Sequence, residues 1–216
     1  MVSKYLFSIS LLLLGLLSHA QTTAYLSPQY LIKNVDVTLG DFVITIDSEG
    51  NITRFYPKNS DYSVEYYDND SFDKEKFMRV KMLGNKKIDY YDSYHINSGD
   101  FGKLKSIGDI KFEYWNDFRT EKLGKIKSIG NLSIDYWGQD FVDNTKLGKL
   151  KSIGNISIDY GRQSYTDKGN FNKVTKFGAV ELSYFENQAF DKQKFGKLKS
   201  IKGNSEMVSV IVSTSN

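Results

Sequence analysis

The stretch Leu147 to Tyr160, Leu-Gly-Lys-Leu-Lys-Ser-Ile-Gly-Asn-Ile-Ser-Ile-Asp-Tyr, recurs along this chain at a nearly fixed spacing. Near copies begin at Phe77, Phe101, Leu123, Phe171 and Phe195, and a worn copy begins at Thr53; successive starts are 24 residues apart except for one step of 22. A unit this short cannot bury its own apolar face, so neighbouring copies must complete one another's core.

The second half of the unit alternates in the manner of a half-buried strand, with Ile156, Ile158 and Tyr160 on one face and Ser157 and Asp159 on the other. Lys149 to Ile153 reads as a second short strand, and Gly154-Asn155 between them is a two-residue turn. Each unit is therefore expected to be a β-hairpin in which Ile153 faces Ile156. A regular continuation would set lysine against the apolar face. A bulge at Lys151-Ser152 repairs this, bringing Leu150 to Ile158, Lys149 to Asp159 and Gly148 under the ring of Tyr160. The tyrosine recurs as Tyr66, Tyr90, Tyr114, Tyr136 and Tyr184, and the acid before it as Glu65, Asp89, Glu113 and Asp135. The lysine recurs as Lys103, Lys125, Lys173 and Lys197.

Residues 1–20 read as a secretory signal peptide, with Lys4, an apolar run from Leu6 to Leu17, and Ser18-His19-Ala20 as the cleavage site. The run is too short for a spanning helix, so an exported chain with no transmembrane segment after cleavage is expected. Its location would be periplasm, cell surface or extracellular. The absence of cysteine then leaves stability to packing rather than to disulfides. The formal charge of +3, or +2 without Lys4, is spread over interleaved acids and bases and gives no reason to invoke nucleic acid.

Residues 21–40 show no repeat and read as an N-terminal arm, with residues 41–216 as a single repeat domain. Asp41 to Tyr56 is a further hairpin around Asp47-Ser48-Glu49-Gly50-Asn51. The last copy is off-pattern and closes with Met207 to Val212, as the end of an array requires. The polar connectors between hairpins each carry one aromatic, Phe72, Tyr94, Phe118, Phe141, Tyr165 or Phe190, and are expected to fold over the end of the core.

Asp47-Ser48-Glu49-Gly50-Asn51-Ile52-Thr53 and Gly148-Lys149-Leu150-Lys151-Ser152-Ile153 resemble the core of YD (Rhs-type) repeats, the tyrosine-rich hairpin units of bacterial surface and toxin-shell proteins. The resemblance implies a curling antiparallel sheet and no particular activity. The family joins Tyr and Gly by a tight turn, whereas eight to ten residues separate them here. The expected fold is all-β: consecutive antiparallel hairpins, about fourteen strands, curled to enclose one apolar face. The alternative is a parallel β-solenoid, which would stack Lys103, Lys125 and Lys149 at unfavourably short range. A membrane barrel would need longer strands.

No catalytic constellation emerges. His95 is the one histidine beyond the signal segment and reads as a solvated loop residue. The acids of the repeat, Asp135 and Asp159 among them, read as salt-paired scaffold. Asp68-Asn69-Asp70-Ser71-Phe72-Asp73 lacks the glycine and distal glutamate of a calcium loop, so no metal or cofactor is expected. The candidate surface for a ligand or partner is the aromatic line that follows the tyrosines: Tyr67, Tyr91, Trp115, Trp137 and Phe185. These observations point to an exported non-enzymatic structural or interaction module of a bacterial envelope or its surroundings. Its partner would be an unknown protein or polysaccharide. Glycan binding along the aromatic line is the alternative, and hydrolysis stands last.

Overall fold

The computed structural model describes residues 20–59, 61–69, 74–92, 98–141, 144–163, 168–190 and 192–213. Residues 1–19 of the expected signal peptide, His95, the aromatics Phe72, Tyr94 and Tyr165, and Asp70 to Asp73 of the acidic run lie outside them. The described chain is all-β, with seventeen strands and no α-helix.

The repeats form one sheet of twelve strands in sequential order. These are β5 (Val64–Tyr66), β6 (Val80–Leu83), β7 (Lys86–Tyr90), β8 (Leu104–Ile107), β9 (Ile110–Tyr114) and β10 (Ile126–Ile129), then β11 (Leu132–Tyr136), β12 (Leu150–Ile153), β13 (Ile156–Tyr160), β14 (Val174–Phe177), β15 (Val180–Tyr184) and β16 (Leu198–Lys202). All neighbours are antiparallel and the sheet is open, not closed into a barrel. Leu150 pairs with Tyr136 in antiparallel register, which excludes the parallel solenoid. No helix among the described residues is long and apolar enough to cross a membrane.

The segment expected to be an arm is instead sheet. β1 (Gln21–Leu26) and β2 (Ile32–Leu39) join β3 (Phe42–Asp47), β4 (Ile52–Pro57) and β17 (Val208–Val212) in a second sheet ordered β17-β1-β2-β3-β4. β17 runs parallel to β1, the one parallel pair of strands among the described residues, and ties the end of the described chain to its start. Alternation in β1 places Thr22, Ala24 and Leu26 inward. The inner faces of both sheets share one core, in which Ile44, Ile46, Ile126, Ile129, Ile134, Leu150 and Tyr136 are fully buried.

Each hairpin turns as the sequence indicates. Gly84, Gly108, Gly130, Gly154 and Gly178 all have φ between +54° and +61°, while the residue after each does not adopt positive φ. This is the pattern of a type II′ turn, whose first central position favours glycine. Ile153 faces Ile156 and Ser152 faces Ser157.

Beyond those two pairs the expected register fails. The bulge at Lys151 exists, but toward the preceding hairpin: Ser152 pairs with Asp135 and Leu150 with Tyr136, skipping Lys151. Leu150 therefore faces Tyr136, not Ile158. The cause lies in the connector, which closes on its own ends through Trp137 N–H to Lys149 O and Gly148 N–H to Trp137 O, both 2.8 Å. That closure starts a ladder which continues into the next hairpin's first strand. Within a hairpin the strands splay apart, and the tyrosine hydroxyl bridges the gap: Tyr160 Oη donates to Leu150 O at 3.1 Å. Tyr114, Tyr136 and Tyr184 do the same to Leu104, Ile126 and Val174.

Candidate functional site

Three sets of side chains decorate the array. The first lies at the end of the tyrosine row. Lys149 does not face Asp159; its ammonium lies 4.9 Å from the Tyr160 ring centroid and donates to Asn172 Oδ1. Lys103, Lys125 and Lys173 likewise cover Tyr114, Tyr136 and Tyr184, and each donates to the carbonyl oxygen of the glycine one repeat on, Gly124, Gly148 or Gly196. Arg79 takes this position for Tyr90 and donates to Gly102 O. The receiving position has positive φ in every copy, and the fold accepts Met78 (φ 62°) and Asn172 (φ 66°) where glycine is absent. Gly148 accordingly shapes the connector and does not lie under Tyr160.

The acids form the second set. Asp89 is paired with Lys76 at 3.0 Å, Asp135 with Lys122 at 2.5 Å, and Asp159 with Lys146. The partner is thus a connector lysine thirteen residues earlier, not the cross-strand lysine the sequence suggested. Partial burial would raise the carboxyl pKa of Asp89 and Asp135. The lysine hydrogen bond and the backbone N–H of the following tyrosine outweigh it, and both are held below the ordinary aspartate value.

The aromatic line is the third set. Tyr67, Tyr91, Trp115, Trp137 and Phe185 are all half-buried and lie along the joins between successive hairpins. Their polar tips are used: Tyr67 Oη donates to Ile88 O, Tyr91 Oη to Phe112 O, Trp115 Nε1 to Ile134 O and Trp137 Nε1 to Ile158 O, at 2.9–3.4 Å. Their faces carry lysine. Lys122 and Lys127 lie 4.7 and 5.6 Å from the Trp115 ring centre, and Lys146 and Lys151 lie 4.6 and 5.5 Å from that of Trp137. Lys194 and Lys199 flank Phe185. Such contacts contribute about 0.5–1 kcal/mol each at exposed sites. The line breaks at Gly161 because Asn170 O lies where a Cβ would sit.

The three connector aromatics among the described residues do not fold over the core as expected. Phe118, Phe141 and Phe190 are 71%, 105% and 87% exposed, because the lysine and tyrosine side chains already close that end.

What the sequence did not reveal is how the two sheets meet. The residue just before the bulge offers its carbonyl to a tyrosine at Leu104, Ile126, Leu150 and Val174, and in three copies the N–H at this position reaches the five-stranded sheet. Ile126 N–H donates to Gly50 O at 2.9 Å, Val174 N–H to Tyr30 O at 3.0 Å, and Leu198 N–H to Tyr30 Oη at 3.1 Å. The turn at residues 47–51 therefore caps the Lys125–Tyr136 end, and the turn at 27–31 caps the Lys173–Tyr184 end. No such bond is made at Val80, Leu104 or Leu150, and these residues border two clefts. One, of about 650 Å³, borders Leu104 between β4 and β5, and the other, of about 350 Å³, borders Leu150. Among the described residues no cluster of His, Asp and Glu has the geometry of a metal site. No protein-family model, curated protein or solved structure matches this chain.

Proposed function

We propose that this chain is an exported, non-enzymatic repeat protein of a bacterial envelope or its surroundings, acting as a structural or interaction module. One observation carries the reading: the chemistry-bearing groups of each repeat are engaged by the adjoining repeat. Asp135 is held by Lys122, Lys125 by Gly148 O, and the Trp137 indole by Ile158 O. Catalytic carboxylates and bases need individual, perturbed environments, whereas these environments repeat. The signal-peptide pattern of residues 1–20 supports a location outside the cytoplasm.

Stacking of sugar rings on the aromatic line has the half-exposure of Trp115 and Trp137 in its favour and the lysines on their faces against it. The test is a panel of glycosides and esters incubated with the secreted protein. No turnover is expected. Turnover abolished by His95→Ala would overturn the reading.

A further inference from the structure

The clefts lie at the positions before the bulge that the five-stranded sheet leaves without a hydrogen bond, Val80 and Leu104 at the larger and Leu150 at the smaller, and the fold itself shows what such a position takes. At Ile126 and Val174 it receives a carbonyl oxygen. At Leu104 the surroundings are cationic as well. Arg54, Arg79 and Lys103 border the cleft, and among the described residues no carboxylate does. Arg79 is the one arginine in a position otherwise held by lysine, and a guanidinium presents five N–H donors in a planar fork suited to a carboxylate. The bond to Gly102 O uses Nη1 alone. Burial lowers the pKa of Lys103, and Asp100 and Asp47 counter that only in part. The remaining wall is apolar and aromatic: Phe55 from β4, and Tyr62, Val64, Tyr66 and Leu83 from around β5 and β6. Tyr62, Val64 and Tyr66 are 42%, 38% and 55% exposed, so the wall is open to an incoming molecule.

We infer that the cleft at Leu104 binds an amphipathic carboxylate, its head on the Arg79 guanidinium and the Leu104 N–H, its apolar body between Phe55 and the Tyr62–Tyr66 edge. A volume of about 650 Å³ lies within the range of small-ligand sites. The smaller cleft at Leu150 provides an internal contrast: Lys125 and Lys149 border it together with the carboxylate of Glu49, and no arginine does. This inference rests on the reading of the chain as a binding module and names the ligand class.

The experiment uses the secreted chain, with anilinonaphthalene sulfonate as a fluorescent aromatic anion and decanoate as competitor, followed by calorimetry with decanoate and with its methyl ester. Decanoate is expected to displace the dye and to bind at least about tenfold more tightly than the ester, the magnitude of one charge-assisted hydrogen bond. Arg79→Gln should weaken decanoate binding by about tenfold or more. Val64→Glu, at the exposed rim on the edge strand β5, should do the same by repulsion, with an unchanged circular dichroism spectrum as the check on folding. Lys149→Gln, at the second cleft, should leave binding unchanged. Equal affinity for acid and ester, undiminished binding by Val64→Glu, or no binding of decanoate would each overturn the assignment. Release of decanoate from the ester would instead defeat the non-enzymatic reading while leaving the site's selectivity to be judged on the acid.

Discussion

Tyr136 Oη donates to the carbonyl oxygen of Ile126 at 3.1 Å, ten residues back across a hairpin whose strands have parted. The same Ile126 donates its N–H to Gly50 O of the facing sheet. One phenol thus holds a hairpin together at the point where the two sheets meet. Tyr136 is fully buried, so Tyr136→Phe leaves a carbonyl unsatisfied and should cost about 1–3 kcal/mol. Tyr136→Ala should cost about 3–5 kcal/mol by opening a cavity. Trp137→Ala, on the half-exposed side, should cost less than Tyr136→Ala. Urea titrations monitored by circular dichroism measure all three, and equal losses for Tyr136→Ala and Trp137→Ala would show the face assignment to be wrong.

Gly161 stands where the other repeats carry an aromatic, and the Asn170 backbone fills the space of its missing side chain. Gly161 also accepts from Asn172 N–H and donates to Lys173 O, both at 2.9 Å, so the backbone there is pinned. Gly161→Ala should therefore destabilise by about 1–3 kcal/mol through overpacking, although its φ is not in the left-handed region. Gly138→Ala, with open space around the added methyl, is the control and should have little effect.

The hairpin period, the glycine turns, the Ile153–Ile156 pair and the inward tyrosines from Tyr90 to Tyr184 were legible in the sequence, because alternation reports which face a side chain takes; Tyr66, at the edge of the sheet, is exposed instead. Alternation does not report which neighbour a strand pairs with. The bulge at Lys151 satisfies the pattern against either adjoining strand, and only the connector closure at Trp137 and Lys149 decides it. Lys146, the true partner of Asp159, sits in a connector with no strand periodicity to mark it. The clefts were hidden for a related reason: they arise where turns 27–31 and 47–51 meet particular repeats, and those turns lie outside the repeat.

Alkaline pH should unfold the protein cooperatively. Burial raises the Tyr90 hydroxyl to about 12 and pushes those of Tyr114, Tyr136, Tyr160 and Tyr184 higher still, all from the ordinary tyrosine value of 10.0. The unfolded chain then loses these protons at lower pH than the folded one. Stability is intact below pH 10 and falls as pH rises above it, because deprotonation favours the unfolded state. In a pH titration, tyrosinate absorbance from the buried rings should appear together with loss of the circular dichroism signal. Ionisation of all the tyrosines near pH 10 with the sheet intact would contradict their burial.

The Lys146–Asp159 pair is asymmetric, with side-chain exposures of 7% and 47%. Removing the lysine leaves a carboxylate that water can reach, whereas removing the acid leaves a nearly buried ammonium against the Trp137 ring. Asp159→Asn should thus lower the unfolding midpoint more than Lys146→Met, which keeps the apolar stem in place. The reverse order would show that the ammonium is better hydrated than its burial indicates.

Successive hairpins pair across their connectors, with Lys151 bulged out and Leu150 set against Tyr136. Nuclear Overhauser contacts in isotope-labelled protein test this pairing most directly. Cross-strand contacts are predicted between Tyr136 and Leu150 and between Ile134 and Ile153, with the equivalent set between Tyr114 and Ile126. Contacts placing Leu150 beside Ile126 in parallel register, or Lys151 opposite Tyr136, would contradict it.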